Sequence, residues 1–230
     1  MYDERIICYA SVAVLIPILC LLTRLAYILP AANNPSNSGV SDITSIIDGK
    51  KNVNIMILLG SGGHTGEMLR LIESIEWKYF TRTWVLSSTD KSSLSKVQEV
   101  ERSLLTAKKE EPKYLMVPRA RNINEGLLSS IKSTLISFIS ISLAIIRLPV
   151  LPSILLLNGP GTSVPLAYFI FLLKFLGLCK TRIVFIESLA RVNSLSLSGI
   201  LLLPISDRFI VQWPYLSQKY KRAEYYGILV

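Results

Sequence analysis

The run from Ile6 to Leu29 limits what this chain can fold into more than any other stretch, being almost wholly apolar and long enough to cross a hydrocarbon core of about 30 Å. Whatever else the chain builds must therefore hang beside a membrane. The run exceeds the apolar region of a cleaved signal, and no small-x-small site precedes Pro30. Residues 1–29 are accordingly expected to form a retained transmembrane helix, with Pro17 tolerated as a kink and Arg24 snorkelling towards headgroups. Residues 30–51, rich in Asn, Ser and Pro, read as a linker, which leaves 52–230 for a folded domain.

A length of 230 residues accommodates that anchor and one domain, not a second. Half of the residues are hydrophobic and mean hydropathy is +0.45, too apolar for an ordinary soluble domain, yet the 18% of charged residues excludes a bundle of spans alone. The excess of 25 basic over 16 acidic residues suits phosphates or an anionic leaflet. Nucleic acid is a poor fit, because the basic residues are scattered and no helix-turn-helix, RNP or zinc-finger pattern is present. Cys8, Cys20 and Cys179 have neither disulfide-framework nor metal-ligand spacing, and no acidic metal cluster is seen. Neither metal nor cofactor is expected.

Beyond the linker, short β-branched runs alternate with segments of helical period, the pattern of a parallel sheet covered by helices. Strands are predicted at 53–59, 83–87, 114–117, 154–157, 182–186 and 208–211, and helices at 64–75, 92–105, 125–147, 162–176 and 197–202. The fold class is α/β, a single Rossmann-like domain behind one membrane helix. The helix from Glu125 to Arg147 has an unusually wide apolar arc. It reads either as a crossover helix buried on the sheet or as an interfacial helix, with Arg119, Arg121, Lys132 and Arg147 meeting anionic lipid or substrate phosphate.

Gly60-Ser61-Gly62-Gly63-His64-Thr65-Gly66-Glu67 follows the first strand and opens an amphipathic helix. Glycines there permit close approach, and the N–H groups of the helix start offer an anion site suited to a diphosphate. His64 is the single histidine of the chain. At the positive end of a helix it suits a general base or a hydrogen-bond donor to phosphate. Two more loops fall at the carboxyl ends of strands, Asn158-Gly159-Pro160-Gly161-Thr162 and Glu187-Ser188-Leu189-Ala190-Arg191. In open α/β sheets ligands gather there, so the three loops point at one crevice. Thr162 reads as a helix cap or a ligand, and Glu187 as an acceptor of sugar hydroxyls or a partner of Arg191.

With these loops, the chain resembles the Asparagine-Linked Glycosylation 14 family. The resemblance runs from the anchor through Leu58–Met68, Leu157–Thr162, Glu187–Arg191 and Phe209–Trp213 to Gly227-Ile228-Leu229-Val230. It implies the acceptor half of a GT-B glycosyltransferase, similar to the N-terminal half of the bacterial lipid-linked N-acetylglucosaminyltransferase of peptidoglycan synthesis. Where those bacterial enzymes carry His-Glu-Gln-Asn, this chain has Ile186-Glu187-Ser188-Leu189, so only the glutamate carries over. His64 and Glu187 are then the implied catalytic residues. Gly60, Ser61, Gly62, Gly63, Thr65, Asn158, Gly159, Gly161, Thr162 and Arg191 are the implied acceptor and diphosphate site, and Gly227, Ile228, Leu229 and Val230 a partner-docking tail.

The implied reaction passes N-acetylglucosamine from UDP to dolichyl-diphospho-N-acetylglucosamine. It also implies a soluble catalytic subunit of the Asparagine-Linked Glycosylation 13 family that carries the UDP-sugar, with the domain on the cytosolic face of the endoplasmic reticulum or nuclear envelope. A GT-B enzyme needs two facing domains and the length here provides one, which agrees with a half-enzyme inactive alone. One rival is a pure membrane scaffold without catalytic groups. Another is a dinucleotide-binding oxidoreductase, which would need an acidic residue at the end of the second strand, where Ser87-Ser88-Thr89 stand.

Overall fold

A computed structural model describes residues 2–32, 53–73, 75–104, 111–120 and 126–230. Most of the expected linker, together with Arg121 and Glu125, lies outside them. The apolar N-terminal run forms one helix, α1 (Tyr2–Ile28), whose 27 residues include Pro17 and span about 40 Å at 1.5 Å per residue. Arg24 does not simply reach towards headgroups as expected. Its Nε donates to the carbonyl of Phe175 at 3.1 Å, and Ala31 N–H donates to the Pro204 carbonyl at 3.2 Å. The end of α1 is thus stitched to the domain.

The domain is one seven-stranded parallel sheet of order β3-β2-β1-β4-β5-β6-β7. Its elements, in chain order, are β1 (Val53–Leu58), α2 (Gly63–Leu71), β2 (Phe80–Ser87), α3 (Lys91–Leu104), β3 (Lys113–Val117), α4 (Leu127–Ile146), β4 (Ile154–Asn158), α5 (Ser163–Phe175), β5 (Arg182–Ile186), α6 (Leu197–Leu202), β6 (Arg208–Val211), α7 (Pro214–Lys219) and β7 (Ala223–Tyr225). β7 and α7 escape sequence reading. β7 is a three-residue edge strand with one buried side chain, held by pairing to β6 and by an Arg208–Glu224 ion pair.

Alternation along β1 sends Ile55 and Ile57 to one face and Met56 and Leu58 to the other, and each face is covered. On the first face Met68 and Ile72, from α2 and just beyond it, and Val97 of α3 pack with Trp84 and Leu86. On the second, Ile141 and Ile145 of α4, Ile170 of α5 and Leu202 of α6 pack with Leu155, Phe185 and Phe209. The rings of Phe185 and Phe209 stack at 5.1 Å, a contact worth about 0.5–1.5 kcal/mol beyond its buried area. Behind β2, Arg82 makes a paired contact to Glu101 at 2.7 and 2.8 Å, and Trp84 Nε1 donates to the same carboxylate at 2.6 Å. This buried charge pair fixes α3 against the sheet.

The helix now called α4 is buried against the sheet on one side only, as the crossover reading expects of that side. Its inner side, with Ser137, Ile141 and Ile145, is buried, while Ile131, Leu135, Ile139, Leu143 and Ile146 stand exposed on its outer side. The stretches 11–28 of α1 and 129–146 of α4 are each long and apolar enough to cross a membrane. Apolar side chains of α5 (Leu172) and α6 (Leu197, Ile200, Leu201) are exposed on helices of the same sheet face.

Candidate functional site

Strand order reverses between β1 and β4, and the crevice beyond their carboxyl ends is the one place where loops from both halves of the sheet can meet. A cavity of about 380 Å³ lies there, lined by Gly60, Ser61 and His64 after β1, Gly159, Gly161 and Thr162 after β4, Arg191 and Ser196 after β5, and Arg119 after β3. The three loops expected to share a crevice do so. Two guanidinium groups and His64 on the first turn of α2 suit the cavity to an anion, and bidentate guanidinium contacts suit phosphate oxygens in particular.

His64 sits on the first turn of α2, half-exposed, with its Nδ1 3.1 Å from Asn158 Oδ1 and 3.5 Å from Glu67 Oε2. The ring occupies space that a side chain at residue 159 would need. A Cβ on Gly159 would lie 2.4 Å from His64 Cε1, and the backbone there has φ +58°, a left-handed conformation natural to glycine. Gly60 is kept bare by the same residue, since its Cβ would come within 2.6 Å of His64 Cβ.

Several expected ligands play other parts. Thr65 is buried, and its hydroxyl donates to the Gly60 carbonyl and lies 2.6 Å from Ser93 Oγ, so it shapes the loop from behind. Gly62, at φ +65°, and Gly63 begin α2 without lining the cavity. Thr162 lines the cavity but makes no capping bond, because its hydroxyl accepts from Ala120 N–H at 3.3 Å. Asn158 is fully buried beneath His64.

Glu187 does not face the cavity as a sugar ligand would. It is 1% exposed, and its carboxylate accepts from Ser196 N–H at 2.9 Å, Ser196 Oγ at 3.0 Å and Ser188 N–H at 3.1 Å. It holds the loop that carries Arg191, and a Cβ on Gly199 of α6 would fall 2.2 Å from its Oε2. Burial pushes the carboxyl above the usual glutamate range, against the opposing pull of those hydrogen bonds and of Arg191. The folded chain thus holds this proton more tightly than the unfolded chain. The stability Glu187 contributes is full below the ordinary value of 4.5 and declines as pH rises from there through the higher folded value. Thermal midpoints measured across that window are expected to fall less steeply with pH in Glu187→Gln than in the wild type.

Sequence reading missed Glu67, whose Oε1 accepts from Ser188 Oγ at 2.8 Å and Leu189 N–H at 3.2 Å. Arg119, expected to meet anionic lipid or substrate phosphate beside the helix that follows, stands in the cavity wall. The available signal was the position of Arg119 just past β3, at the same sheet edge as the other loops. The tail beyond β7 is tied back at Leu229, whose N–H donates to Gln212 Oε1 at 3.2 Å, while Gln212 Nε2 donates to the Glu187 carbonyl at 3.1 Å. Ile228 stays exposed. The oxidoreductase reading finds no support at the tip of β2, where the first acid, Asp90, is buried and spends both oxygens on Ser93.

The family model described as "Oligosaccharide biosynthesis protein Alg14 like" matches residues 55–229. The chain is 54% identical over 232 residues to the UDP-N-acetylglucosamine transferase subunit ALG14 of Debaryomyces hansenii, covering 99% of both chains. It is 39% identical over 185 residues to the human protein of that name, covering 79% of this chain and 85% of that one. Among solved structures, a putative UDP-N-acetylglucosamine 2-epimerase from Listeria monocytogenes aligns with a TM-score of 0.52 at 14% identity, over 74% of this chain and 42% of that one. That likeness concerns the fold, and the chain spans about two fifths of the solved protein. A family match through the whole sheet, joined to more than half identity with a relative along nearly its full length, means that this chain belongs to the Alg14-like oligosaccharide-biosynthesis family.

Proposed function

We propose that this chain is the membrane-anchored, acceptor-binding subunit of a UDP-N-acetylglucosamine transferase, and that a soluble partner of the Asparagine-Linked Glycosylation 13 family brings the UDP-sugar. The acceptor is dolichyl-diphospho-N-acetylglucosamine, and the product carries a second N-acetylglucosamine. One observation carries the reading: a cavity at the switch point of a lone domain, walled by His64, two arginines and a helix start, with no facing domain among the described residues to complete it. The names of the relatives, all transferase subunits, support it.

In this reading Arg119, Arg191 and the N–H groups at the start of α2 hold the diphosphate, and His64 Nε2 takes the proton from the attacking sugar hydroxyl. Glu187 acts from behind by fixing the loop of Arg191. Residues 1–29 anchor, 30–51 link and 52–230 bind the acceptor, and Gly227–Val230 offers the exposed Ile228 to the partner. The domain lies on the cytosolic face of the endoplasmic reticulum.

Membranes containing this chain alone, the soluble partner alone, or both should be assayed for transfer from UDP-N-acetylglucosamine to a dolichyl- or phytanyl-diphospho-N-acetylglucosamine. Activity confined to the combination is the expected result. Activity from this chain alone would sink the half-enzyme reading.

The outer side of α4 lies in the headgroup region beside the anchor, as its exposed Ile131, Leu135 and Ile139 suit. In a chain freed of its three native cysteines, a fluorophore on Ile139→Cys is expected to be quenched by shallow nitroxide lipids. One on Glu99→Cys, across the sheet on α3, is expected to stay bright. Equal fluorescence at the two positions would contradict the placement.

A further inference from the structure

We infer that Glu67 is a positioning residue that holds His64 in a single neutral form, with the proton on Nδ1 and the lone pair of Nε2 turned to the cavity. The inference rests on the reading of His64 as the proton acceptor and adds to it the group that prepares the ring. His64 and Glu67 lie three residues apart on α2 and so share one side of that helix. Glu67 Oε1 is already engaged by Ser188 Oγ and Leu189 N–H, while Oε2 is buried, lacks a hydrogen-bond partner and stands 3.5 Å from His64 Nδ1. An Nδ1–H on His64 would answer it.

Asn158 also touches Nδ1, at 3.1 Å, but cannot choose the form of the ring. An amide meets either form by turning over, presenting oxygen to an N–H or NH₂ to a bare nitrogen. A carboxylate only accepts, so with Glu67 beside it a bare Nδ1 would face a lone pair. The same logic sets the imidazole of a hydrolytic triad, where an acid on one ring nitrogen leaves the other free to take a proton. Because the other oxygen of Glu67 grips the loop after β5, one side chain sets both the ring and the loop that carries Arg191.

The chain has a single histidine, so selective ¹⁵N-histidine labelling gives one pair of ring nitrogen signals with nothing to assign. The full chain in lipid bilayers would be examined by solid-state NMR at a pH about two units above the ordinary imidazole value of ~6.5. The expected wild-type spectrum shows a protonated Nδ1 and a bare Nε2. In the isosteric Glu67→Gln, whose amide can donate as well as accept, the Nε2–H form is expected to rise to a comparable population. In Ser188→Ala, which removes a bond to Oε1 and leaves Oε2 in place, the wild-type spectrum is expected to persist. A wild-type ring protonated at Nε2, or a Glu67→Gln spectrum unchanged from wild type, overturns the inference whatever the activity does.

Transfer assays in the presence of the soluble partner separate this from the reading beneath it. Glu67→Gln is expected to lower kcat on the order of tenfold or more, with the acceptor KM little changed. In a His64→Ala background the same substitution is expected to cost little further. A ring that changes form while turnover stays at the wild-type level would uphold the positioning role of Glu67 and overturn His64 as the base. Lost turnover with an unchanged ring would mean that Glu67 acts through the loop alone, against the inference.

Discussion

Replacing His64 with alanine is expected to lower transfer by about 10²–10⁴-fold, the range that a positioned general base contributes, while the soluble partner still sediments with membranes. The loss should be chemical. The ring sits over Asn158 and Gly159 at the cavity edge and is half-exposed, so its removal takes a hydrogen-bond partner from Asn158 but no side chain from the two apolar cores. Radiolabelled transfer and co-sedimentation, run on the same membranes, check both halves of the expectation. Turnover near the wild-type level with normal recruitment would leave the chain a scaffold. His64→Gln refines the outcome, because an amide can hydrogen-bond a phosphate oxygen but cannot take up a proton at neutral pH. Substantial rescue by glutamine would turn His64 from a base into a phosphate ligand.

Gly159→Ala should be nearly as damaging without touching a reactive group. A left-handed backbone costs a residue with a Cβ about 1–2 kcal/mol, and here the added carbon would also lie 2.4 Å from His64 Cε1 and 2.6 Å from Nδ1. The ring must move by an ångström or so, and displacement of that order costs about 10²-fold in rate. The thermal midpoint is expected to drop by about 2–8 °C, small enough for the fold to survive. Gly66→Ala, inside α2 with open space where its Cβ would go, is the control and is expected to keep wild-type transfer. Equal losses in the two variants would show that the position of the ring is not what Gly159 protects.

How far the sequence could be read depended on whether the governing interaction is local. β5, β6 and α6 were predicted at their observed bounds, because a buried parallel strand is a continuous apolar run and a short helix announces itself by its cap, here Ser196 accepting from Gly199 N–H. The loop Gly60–His64 was legible for a similar reason, since glycines between a strand and a helix leave few other conformations. What escaped was settled by partners distant in sequence. Thr65 looks like a ligand until Ser93 is brought behind it, and Glu187 looks like a sugar acceptor until Ser196 folds over it. Glu67 gains its partner only when Ser188, from the loop after β5, arrives. Arg82 and Glu101 lie on a strand and a helix whose pairing no local pattern encodes.

Gly199 carries a further consequence, for descent rather than for energy. It stands inside α6, where glycine is worse than alanine by about 1 kcal/mol and its backbone does not require it. What forbids alanine there is the Glu187 carboxylate, 2.2 Å from where the methyl carbon would be. The two positions are therefore sterically coupled. A lineage that gives up the acid loses the reason to keep the glycine, and drift towards alanine at 199 should follow the loss of glutamate at 187, never precede it.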